Sequence, residues 1–332
     1  GRRPGGGVRA LRCRRPPPGR EGRPSRDPGG GGAALHDRGL RSLVITRHVP
    51  VVHHDVRGRV RRIDGRISQG RSRSHHPQKD NRASLRLVAW ETTRNCNLSC
   101  VHCRASAKLG PHSGELDTDE AFKLLDQIAA VAKPIIILTG GEPLLRDDIF
   151  DIASYGTKIG LRMVMAPNGT LITGSVAKRL IDSGIKRISI SIDGSTPESH
   201  DNFRKVDGAF EGAINAMKIA KNVGLDFQVN TTITKTNLDQ IPKIQKLAVE
   251  MGAVAHHIFL LVPTGRGKYI VDQAIDAAEY EETLNWFYDQ REKTPLELKA
   301  TCAPHYYRIL RQRTREEGKS VSFQTHGLAA VT

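Results

Sequence analysis

From residue 84 onward, short apolar runs rich in Val and Ile alternate with stretches in which apolar residues recur every three or four positions. The first pattern predicts strands that are buried on both faces, and the second predicts amphipathic helices. Six such pairs follow one another. Their strands are predicted at residues 85–93, 134–139, 162–165, 187–192, 225–234 and 257–262.

Repeated strand and helix units of this kind predict an α/β fold in which a parallel sheet curls into a partial (β/α)6 barrel. The helix expected at residues 118–132 shows the pattern well. Asp117 or Thr118 can cap its start, and Leu125 and Ile128 share one face. In barrels of this type the active site lies on the loops that follow the strands.

Three cysteines, Cys96, Cys100 and Cys103, follow the first predicted strand with CxxxCxxC spacing. A [4Fe–4S] cluster has four irons, so three thiolates leave one iron free for a substrate or cofactor. Structural zinc normally needs a second cysteine pair or spaced histidines, although His102 could be a fourth ligand. A disulfide framework is disfavoured because the chain has five cysteines, an odd number. The spacing favours a catalytic cluster, with zinc or unreactive thiols as alternatives.

The net charge of +16 is located almost entirely in residues 1–83, which contain 21 Lys and Arg against 6 Asp and Glu. This segment is rich in Arg, Gly and Pro. It has too little apolar surface to offset the entropy of ordering, so we expect a disordered arm or a non-native extension. The alternative is an arm that binds RNA or a membrane surface. The lack of aromatic residues in a suitable pattern argues against RNA.

Residues 84–292 are long enough for one α/β domain with a substantial core, and residues 293–332 are expected to begin a further C-terminal region. Apolar runs are much shorter than the roughly 18 residues of a membrane span. Thiolates that bind a cluster favour a reducing compartment. We therefore expect a cytoplasmic protein that has no membrane partner.

The CxxxCxxC loop and the Gly140-Gly141-Glu142-Pro143 motif after the second strand, on six strand and helix units, together resemble the radical S-adenosylmethionine (SAM) enzymes. The resemblance covers nearly all of residues 84–332. It implies that the cysteines bind a [4Fe–4S] cluster whose open iron binds the amino and carboxylate groups of SAM. It also implies that the reduced cluster cleaves SAM to a 5′-deoxyadenosyl radical, which takes a hydrogen atom from the substrate.

The same resemblance predicts which side chains bind SAM. Gly140 and Gly141 let backbone approach a ligand, and Glu142 can accept a hydrogen bond from the SAM ammonium. Arg204 matches a family arginine that faces the SAM carboxylate. His102 stands where many relatives have an aromatic residue that packs on adenine. Further contacts with SAM are expected from four residues at strand ends: Asn168, Ser189, Ser191 and Asp193.

A narrower resemblance, in residues 87–91, 260–268 and 302–308, is to the haem-biosynthesis branch of this family, and most of all to haem b synthases. It implies oxidative decarboxylation of propionates of Fe-coproporphyrin III to vinyls. A flat iron macrocycle with carboxylates needs an apolar slot and cationic anchors. The candidate anchors are Arg266 and Lys268. The candidate ligands of the porphyrin iron are His256, His257 and His305.

Relatives of this branch carry a cysteine-rich C-terminal extension with a second [4Fe–4S] cluster. Only Cys302 is a possible ligand of that kind here, so the resemblance predicts a C-terminally truncated chain whose full-length form holds the second cluster. An electron donor such as flavodoxin or ferredoxin is also expected.

Three other functions remain open. Two are enzymes of the same family, a didecarboxysirohaem deacetylase and a peptide maturase. The third is an arginine-rich nucleic-acid-binding protein with a structural metal site. The nearly neutral charge after residue 83 argues against the third.

Overall fold

A single sheet organises the part of the chain that the computed structural model describes, which is residues 43–45, 85–110 and 112–319. The strands lie side by side in chain order. The first pair is antiparallel and the remaining pairs are parallel. The strands are β1 (Leu43–Ile45), β2 (Leu87–Thr93), β3 (Ile135–Gly140), β4 (Arg162–Met165), β5 (Ile188–Ser191), β6 (Phe227–Ile233), β7 (Ala255–Leu260) and β8 (Glu297–Thr301).

Helices connect the parallel strands and cover one side of the sheet. They are α1 (Thr118–Val131), α2 (Ile149–Lys158), α3 (Gly174–Asp182), α4 (Pro197–Arg204), α5 (Ala209–Val223), α6 (Ile241–Met251), α7 (Ala277–Asp289) and α8 (Tyr306–Glu316). The predicted cap of α1 is confirmed, since Asp117 Oδ1 accepts a hydrogen bond from Glu120 N at 2.8 Å and Glu120 Oε2 accepts one from Asp117 N at 3.1 Å. Among the described residues, every helix is too short or too polar to cross a lipid bilayer.

The seven parallel strands form a curled half-barrel, so the predicted α/β fold is confirmed. Six of these strands were expected, and β8 is an addition. It lies beyond residue 292, so the sheet extends further along the chain than the predicted domain boundary. Within the segment expected to be disordered, Leu43–Ile45 pairs with β2. The rest of that prediction falls outside the described residues.

The two faces of the sheet have different environments. On the outer face, apolar side chains such as Val88, Leu138, Met163 and Ile190 are fully buried against the helices. Residues that alternate with these point into the half-barrel, because successive side chains of a strand lie on opposite faces. We call this second surface the inner face. It is mainly apolar at the centre of β2 to β4, where Ala89, Ile137 and Val164 are aligned, and mainly polar on β5 to β8.

Two neighbouring residues of α3 test the assignment of the buried layer between the helices and the outer face of the sheet. Leu180 is 0% exposed, whereas its neighbour Ile181 is 40% exposed. Leu180→Ala leaves a cavity and should lower the free energy of unfolding by about 2–5 kcal/mol. Ile181→Ala should change it by about 0.5 kcal/mol or less. Urea unfolding of both variants measures the difference, and equal losses would contradict the layer assignment.

Candidate active site

The three cysteines lie on residues 94–108, which follow β2 and which we call the cysteine loop. Cys96 and Cys100 are buried and Cys103 is half-buried. Leu98, Ala107 and Ala209 pack with the cysteines in a small apolar cluster. All three thiols are free. The loop therefore presents three reduced sulfur atoms on a rigid apolar base.

Each of the three sulfur atoms accepts one N–H hydrogen bond. Such bonds stabilise thiolate charge and tune iron–sulfur clusters. Burial raises the pKa of Cys96 to about 11, with a smaller contribution from the neighbouring thiols. A metal ion overcomes that cost, because a coordinating thiol loses its proton. The pairs are Leu98 N to Cys96 Sγ (3.4 Å), Ala107 N to Cys103 Sγ (3.4 Å) and Arg204 Nη1 to Cys100 Sγ (3.5 Å).

The arrangement of ligands distinguishes a cluster from a single metal ion. Within the described ranges, no three His, Cys, Asp or Glu side chains converge on a position for one ion. A [4Fe–4S] cluster needs no such convergence, because each cysteine binds a different iron. His102, the possible fourth ligand, stacks on Phe203 with ring centroids 4.6 Å apart. The residues fit a cluster better than structural zinc.

The loop after β3 packs against the cysteine loop through two glycines. Gly141 N donates to Thr93 O and Glu142 N donates to Asn95 O, both at 2.7 Å. A Cβ atom at Gly140 would overlap Thr93 O, and one at Gly141 would overlap Asn95 O. In the structure these glycines let one loop backbone approach the other. Their predicted approach to a ligand stays a prediction.

Glu142 is fully buried next to the cysteine loop. Its two carboxylate oxygens accept hydrogen bonds from Leu144 N at 3.0 Å and from Asn168 N at 2.6 Å. Burial raises the pKa of this carboxyl group to about 7, although both hydrogen bonds lower it. The adjacent Pro143 is buried at the start of a short 3₁₀ helix, Pro143–Leu145, and fixes the turn.

The side chain of Asn168 connects the loop after β4 to the cysteine loop. Its Nδ2 donates to Asn97 Oδ1 at 2.7 Å, and its Oδ1 accepts from Thr170 Oγ1 at 2.7 Å. Asn97 Nδ2 in turn donates to Thr170 Oγ1 at 2.8 Å. Sequence reasoning missed Asn97 and Thr170, although both lie inside the motifs that it identified.

A buried ion pair joins Asp193, after β5, to Arg204 at the end of α4. Asp193 Oδ1 also accepts from Thr232 N at 2.7 Å. Burial alone lowers the pKa of Arg204, but Asp193 and Cys100 raise it above its ordinary value. Arg204 Nε is buried and makes no hydrogen bond to the described residues. It is a donor available to a ligand beside the cysteines.

Arg266 contacts the cysteine loop from the other side. Its backbone N donates to Cys103 O at 2.9 Å, and its guanidinium donates to Cys100 O at 2.7 Å and to Ala107 O at 2.6 Å. A Cβ atom at the preceding Gly265, whose φ is +55°, would overlap Arg104 O. The structure shows Arg266 holding the cysteine loop in place. Its predicted role as a substrate anchor stays a prediction.

Neighbouring histidines on β7 face opposite sides of the sheet. His256 lies on the outer face, edge-on to Phe287, with Nε2 3.0 Å from Thr231 Oγ1. Burial lowers its pKa to about 4. The prediction that His256 binds the porphyrin iron is therefore wrong, because the helix layer covers it. His257 lies on the inner face, where Gln228 Nε2 is 2.9 Å from its Nδ1.

The other predicted residues are dispersed. Ser189 and Ser191 lie half-buried on the inner face of β5. Lys268 is exposed, with Nζ 4.8 Å from the centroid of the Tyr269 ring. His305 is exposed at the start of α8, and Cys302 is exposed after β8.

Burial and nearby arginines lower the pKa of the His102 ring well below its ordinary value, so this ring is neutral.

Known proteins share both the sequence and the fold. The sequence profile of the Radical SAM superfamily matches residues 90–248. An AdoMet-dependent heme synthase of Nitratidesulfovibrio vulgaris (strain Hildenborough) is 53% identical over 261 residues, which cover 78% of this chain and 71% of that protein. An Fe-coproporphyrin III synthase of Methanosarcina barkeri (strain Fusaro) is 35% identical over 207 residues, or 62% of this chain and 52% of that protein.

The crystal structure of Streptococcus suis SuiB bound to S-adenosylmethionine is similar in fold. It is 18% identical, with a TM-score of 0.58, over 68% of this chain. This chain spans about half of that structure, 52% of its length. At this level of identity the likeness concerns the fold alone. Because sequence and fold agree, the chain belongs to the radical SAM superfamily of enzymes, and its similarity places it with the haem synthases of that superfamily.

Proposed function

We propose that this protein is a SAM-dependent haem synthase that converts propionates of Fe-coproporphyrin III to vinyls by oxidative decarboxylation, giving haem b. The observation that supports it most is the cysteine loop, in which each sulfur accepts an N–H hydrogen bond. The 53% identity to an AdoMet-dependent heme synthase supports the choice of reaction.

Family membership implies a [4Fe–4S] cluster and SAM, and we assign Cys96, Cys100 and Cys103 as the cluster ligands. Held by these three residues, a reduced cluster would supply the electron for reductive cleavage of SAM, and the SAM-derived radical would remove a hydrogen atom from a propionate, which would then lose CO₂ and one electron. The chain's own residues hold the loop, orient SAM and keep water away. Arg266 and the glycine-containing loops after β3 and β7 hold the cysteine loop.

The buried polar groups next to the cysteines are suited to SAM. Glu142 offers carboxylate oxygens to the SAM ammonium, and Arg204 Nε offers a free donor to the SAM carboxylate. Asp193 holds Arg204 in this position through their ion pair. We assign Asn168, Ser189 and Ser191 to the ribose or methionine part of SAM. We assign His102 to the adenine ring.

Two further elements belong to the proposal. A second [4Fe–4S] cluster would accept the electron that leaves with CO₂. Cys302 is its one candidate ligand among the described residues, and a single thiolate does not hold a cluster, so we expect the reconstituted chain to bind the first cluster alone. A flavodoxin or ferredoxin in the cytoplasm would reduce the first cluster. Residues 1–83 have no assigned part in this chemistry.

The second candidate function is a deacetylase of didecarboxysirohaem, which the 35% identity to an Fe-coproporphyrin III synthase supports. The higher identity to the heme synthase favours decarboxylation. One experiment separates the two. The full chain is reconstituted anaerobically, reduced with dithionite, and given SAM with either Fe-coproporphyrin III or didecarboxysirohaem. We expect haem from the first substrate alone, together with 5′-deoxyadenosine above the slow rate that is seen without porphyrin. Product from didecarboxysirohaem instead would select the deacetylase.

The cysteines provide a matched pair of substitutions. Cys100→Ala should reduce the iron content from about four atoms per chain to nearly none and abolish 5′-deoxyadenosine formation, because one of three ligands is lost. Cys302→Ala removes an exposed thiol outside the loop and should retain both. Iron analysis and mass spectrometry measure these quantities. Normal deoxyadenosine formation by Cys100→Ala would contradict the ligand assignment.

Alanine substitutions at Gly265 and Gly208 test the close approach of the Gly265 backbone to the cysteine loop. Both glycines have positive φ, +55° and +81°, so alanine costs each about 1–2 kcal/mol in backbone energy. Only the Cβ atom at Gly265 meets the cysteine loop, since nothing lies within 4 Å of the one at Gly208. Gly265→Ala should therefore lose at least about half of the reconstituted iron, and Gly208→Ala should keep it. Equal iron contents would refute the role of this contact.

The buried carboxyl group of Glu142 predicts a pH dependence of stability in the protein without cluster and SAM. Between about pH 4.5 and 7, folded Glu142 keeps a proton that the unfolded chain has lost. Its contribution to stability is therefore full below pH 4.5 and is lost as the pH rises through 7. We expect a fall on the order of 2 kcal/mol that Glu142→Gln lacks. Urea unfolding from pH 5 to 8 measures both curves, and parallel curves would contradict the assignment.

A further inference from the structure

The polar half of the inner face contains a row of four side chains that the mechanism above does not use as a group. Strand register aligns Ser191 with Asn230, Asn230 with His257 and His257 with Lys299. Neighbouring strands are about 4.8 Å apart, so the row extends roughly 14 Å across β5 to β8. The row lies on the same inner face as the mainly apolar residues of β2 to β4. This face therefore offers a mainly apolar part and a polar part to one ligand.

Lys299 is the unusual member of this row. It is 8% exposed, and it makes no hydrogen bond or ion pair with the described residues. Lysine is rarely this buried unless it is paired. Its Nζ is not among the fully buried atoms without a partner, so the ammonium group keeps some contact with solvent and can meet a ligand. Glu297, the nearest carboxylate along β8, is instead paired with Arg187 at 3.3 Å. Burial lowers the pKa of Lys299 to about 8, although Glu297 and Cys302 raise it.

His257 presents a second unused donor in the same place. Gln228 Nε2 donates to Asn230 Oδ1 at 2.9 Å and lies 2.9 Å from His257 Nδ1. An amide nitrogen only donates, so Nδ1 must accept, and the imidazole proton lies on Nε2. Burial, with Lys299 nearby, lowers the pKa of His257 to about 3, so the ring is neutral. Its Nε2 is buried and has no partner among the described residues.

The proton on Nε2 argues against the prediction that His257 binds the porphyrin iron. A ring nitrogen that carries a proton has no lone pair for iron, so the hydrogen bond from Gln228 opposes iron ligation through Nε2. An ammonium and a neutral N–H on neighbouring strands instead match the two oxygens of a carboxylate. Lys299 and His257 are therefore suited to bind an anionic group of a ligand.

The carboxyl end of β8 is connected electrostatically to the cysteine loop. Cys302, three residues after Lys299, is within electrostatic range of both Lys299 and Arg104 of the cysteine loop. The carboxyl end of β8 therefore reaches the side of the sheet on which the cysteine loop lies. A ligand held by Lys299 would occupy the half-barrel next to the proposed site of SAM.

We infer that Lys299 and His257 together form a carboxylate-binding site on the inner face, which holds a propionate of the porphyrin. This inference rests on the proposed function, because the porphyrin supplies the carboxylate. The apolar inner face of β2 to β4 would contact the macrocycle. Lys299 acts as a binding residue that fixes which propionate lies near the reacting centre.

The test is porphyrin binding, which is independent of turnover. Fe-coproporphyrin III and its tetramethyl ester are titrated anaerobically into the reconstituted full chain, and absorbance is followed. Lys299→Met keeps the side-chain length and removes the charge, and relief of a buried unpaired charge favours folding. We expect it to weaken binding of the free acid about tenfold or more and to leave binding of the ester unchanged. His257→Phe should weaken binding of the acid in the same selective way.

Two controls keep the outcomes distinct. Lys243→Gln, an exposed lysine on α6, should bind both porphyrins as the unchanged protein does. The iron content and the visible absorption of Lys299→Met, measured before porphyrin is added, show whether the variant holds its cluster. Unchanged binding of the acid, or equal weakening for acid and ester, would overturn the carboxylate site alone. If the unchanged protein binds no Fe-coproporphyrin III, the proposed function fails and this inference fails with it.

Discussion

The hydrogen bonds that fix the shape of the cysteine loop are the constraint on which the rest of the site depends. Three thiolates can share one cluster only if their loop keeps a fixed shape, and this loop has no regular secondary structure of its own. Loops after β3 and β7 supply the missing hydrogen bonds through backbone N–H groups and Arg266. Glycine at the contact points lets the backbones approach within hydrogen-bonding distance. Strand ends from both halves of the sheet thus converge on one short segment.

Buried charge is the second feature that organises the site. Glu142, Asp193, Arg204 and Lys299 are all buried on the loops or strand ends around the half-barrel. Asp193 and Arg204 neutralise each other, which limits the cost of burying them. Glu142 and Lys299 have no ion-pair partner in the described residues, and burial shifts the pKa of each towards the neutral form. Ligands of opposite charge would restore the charged forms. We propose a cationic group of a ligand next to Glu142 and an anionic group next to Lys299.

Contiguous motifs made much of this arrangement predictable. The cysteine spacing, the Gly-Gly-Glu-Pro motif and the repeated units specify local structure, and local structure places them at strand ends. Which of His256 and His257 faces the half-barrel was not predictable, because a shift of one residue in a strand reverses the face. The contacts of Arg266 with the cysteine loop were not predictable either, since its partners lie more than 150 residues earlier in the chain. The strand β8 was missed because its Glu-Leu-Lys-Ala-Thr sequence is short and charged.

The central claim is that the cysteine loop holds a [4Fe–4S] cluster with one iron open to SAM. Electron paramagnetic resonance of the dithionite-reduced, reconstituted chain, recorded with and without SAM, tests it most directly. The account predicts the signal of a single reduced [4Fe–4S] cluster whose g values shift when SAM is added, and the absence of that signal in Cys96→Ala. A cluster signal that SAM leaves unchanged, or that survives in Cys96→Ala, would contradict the account.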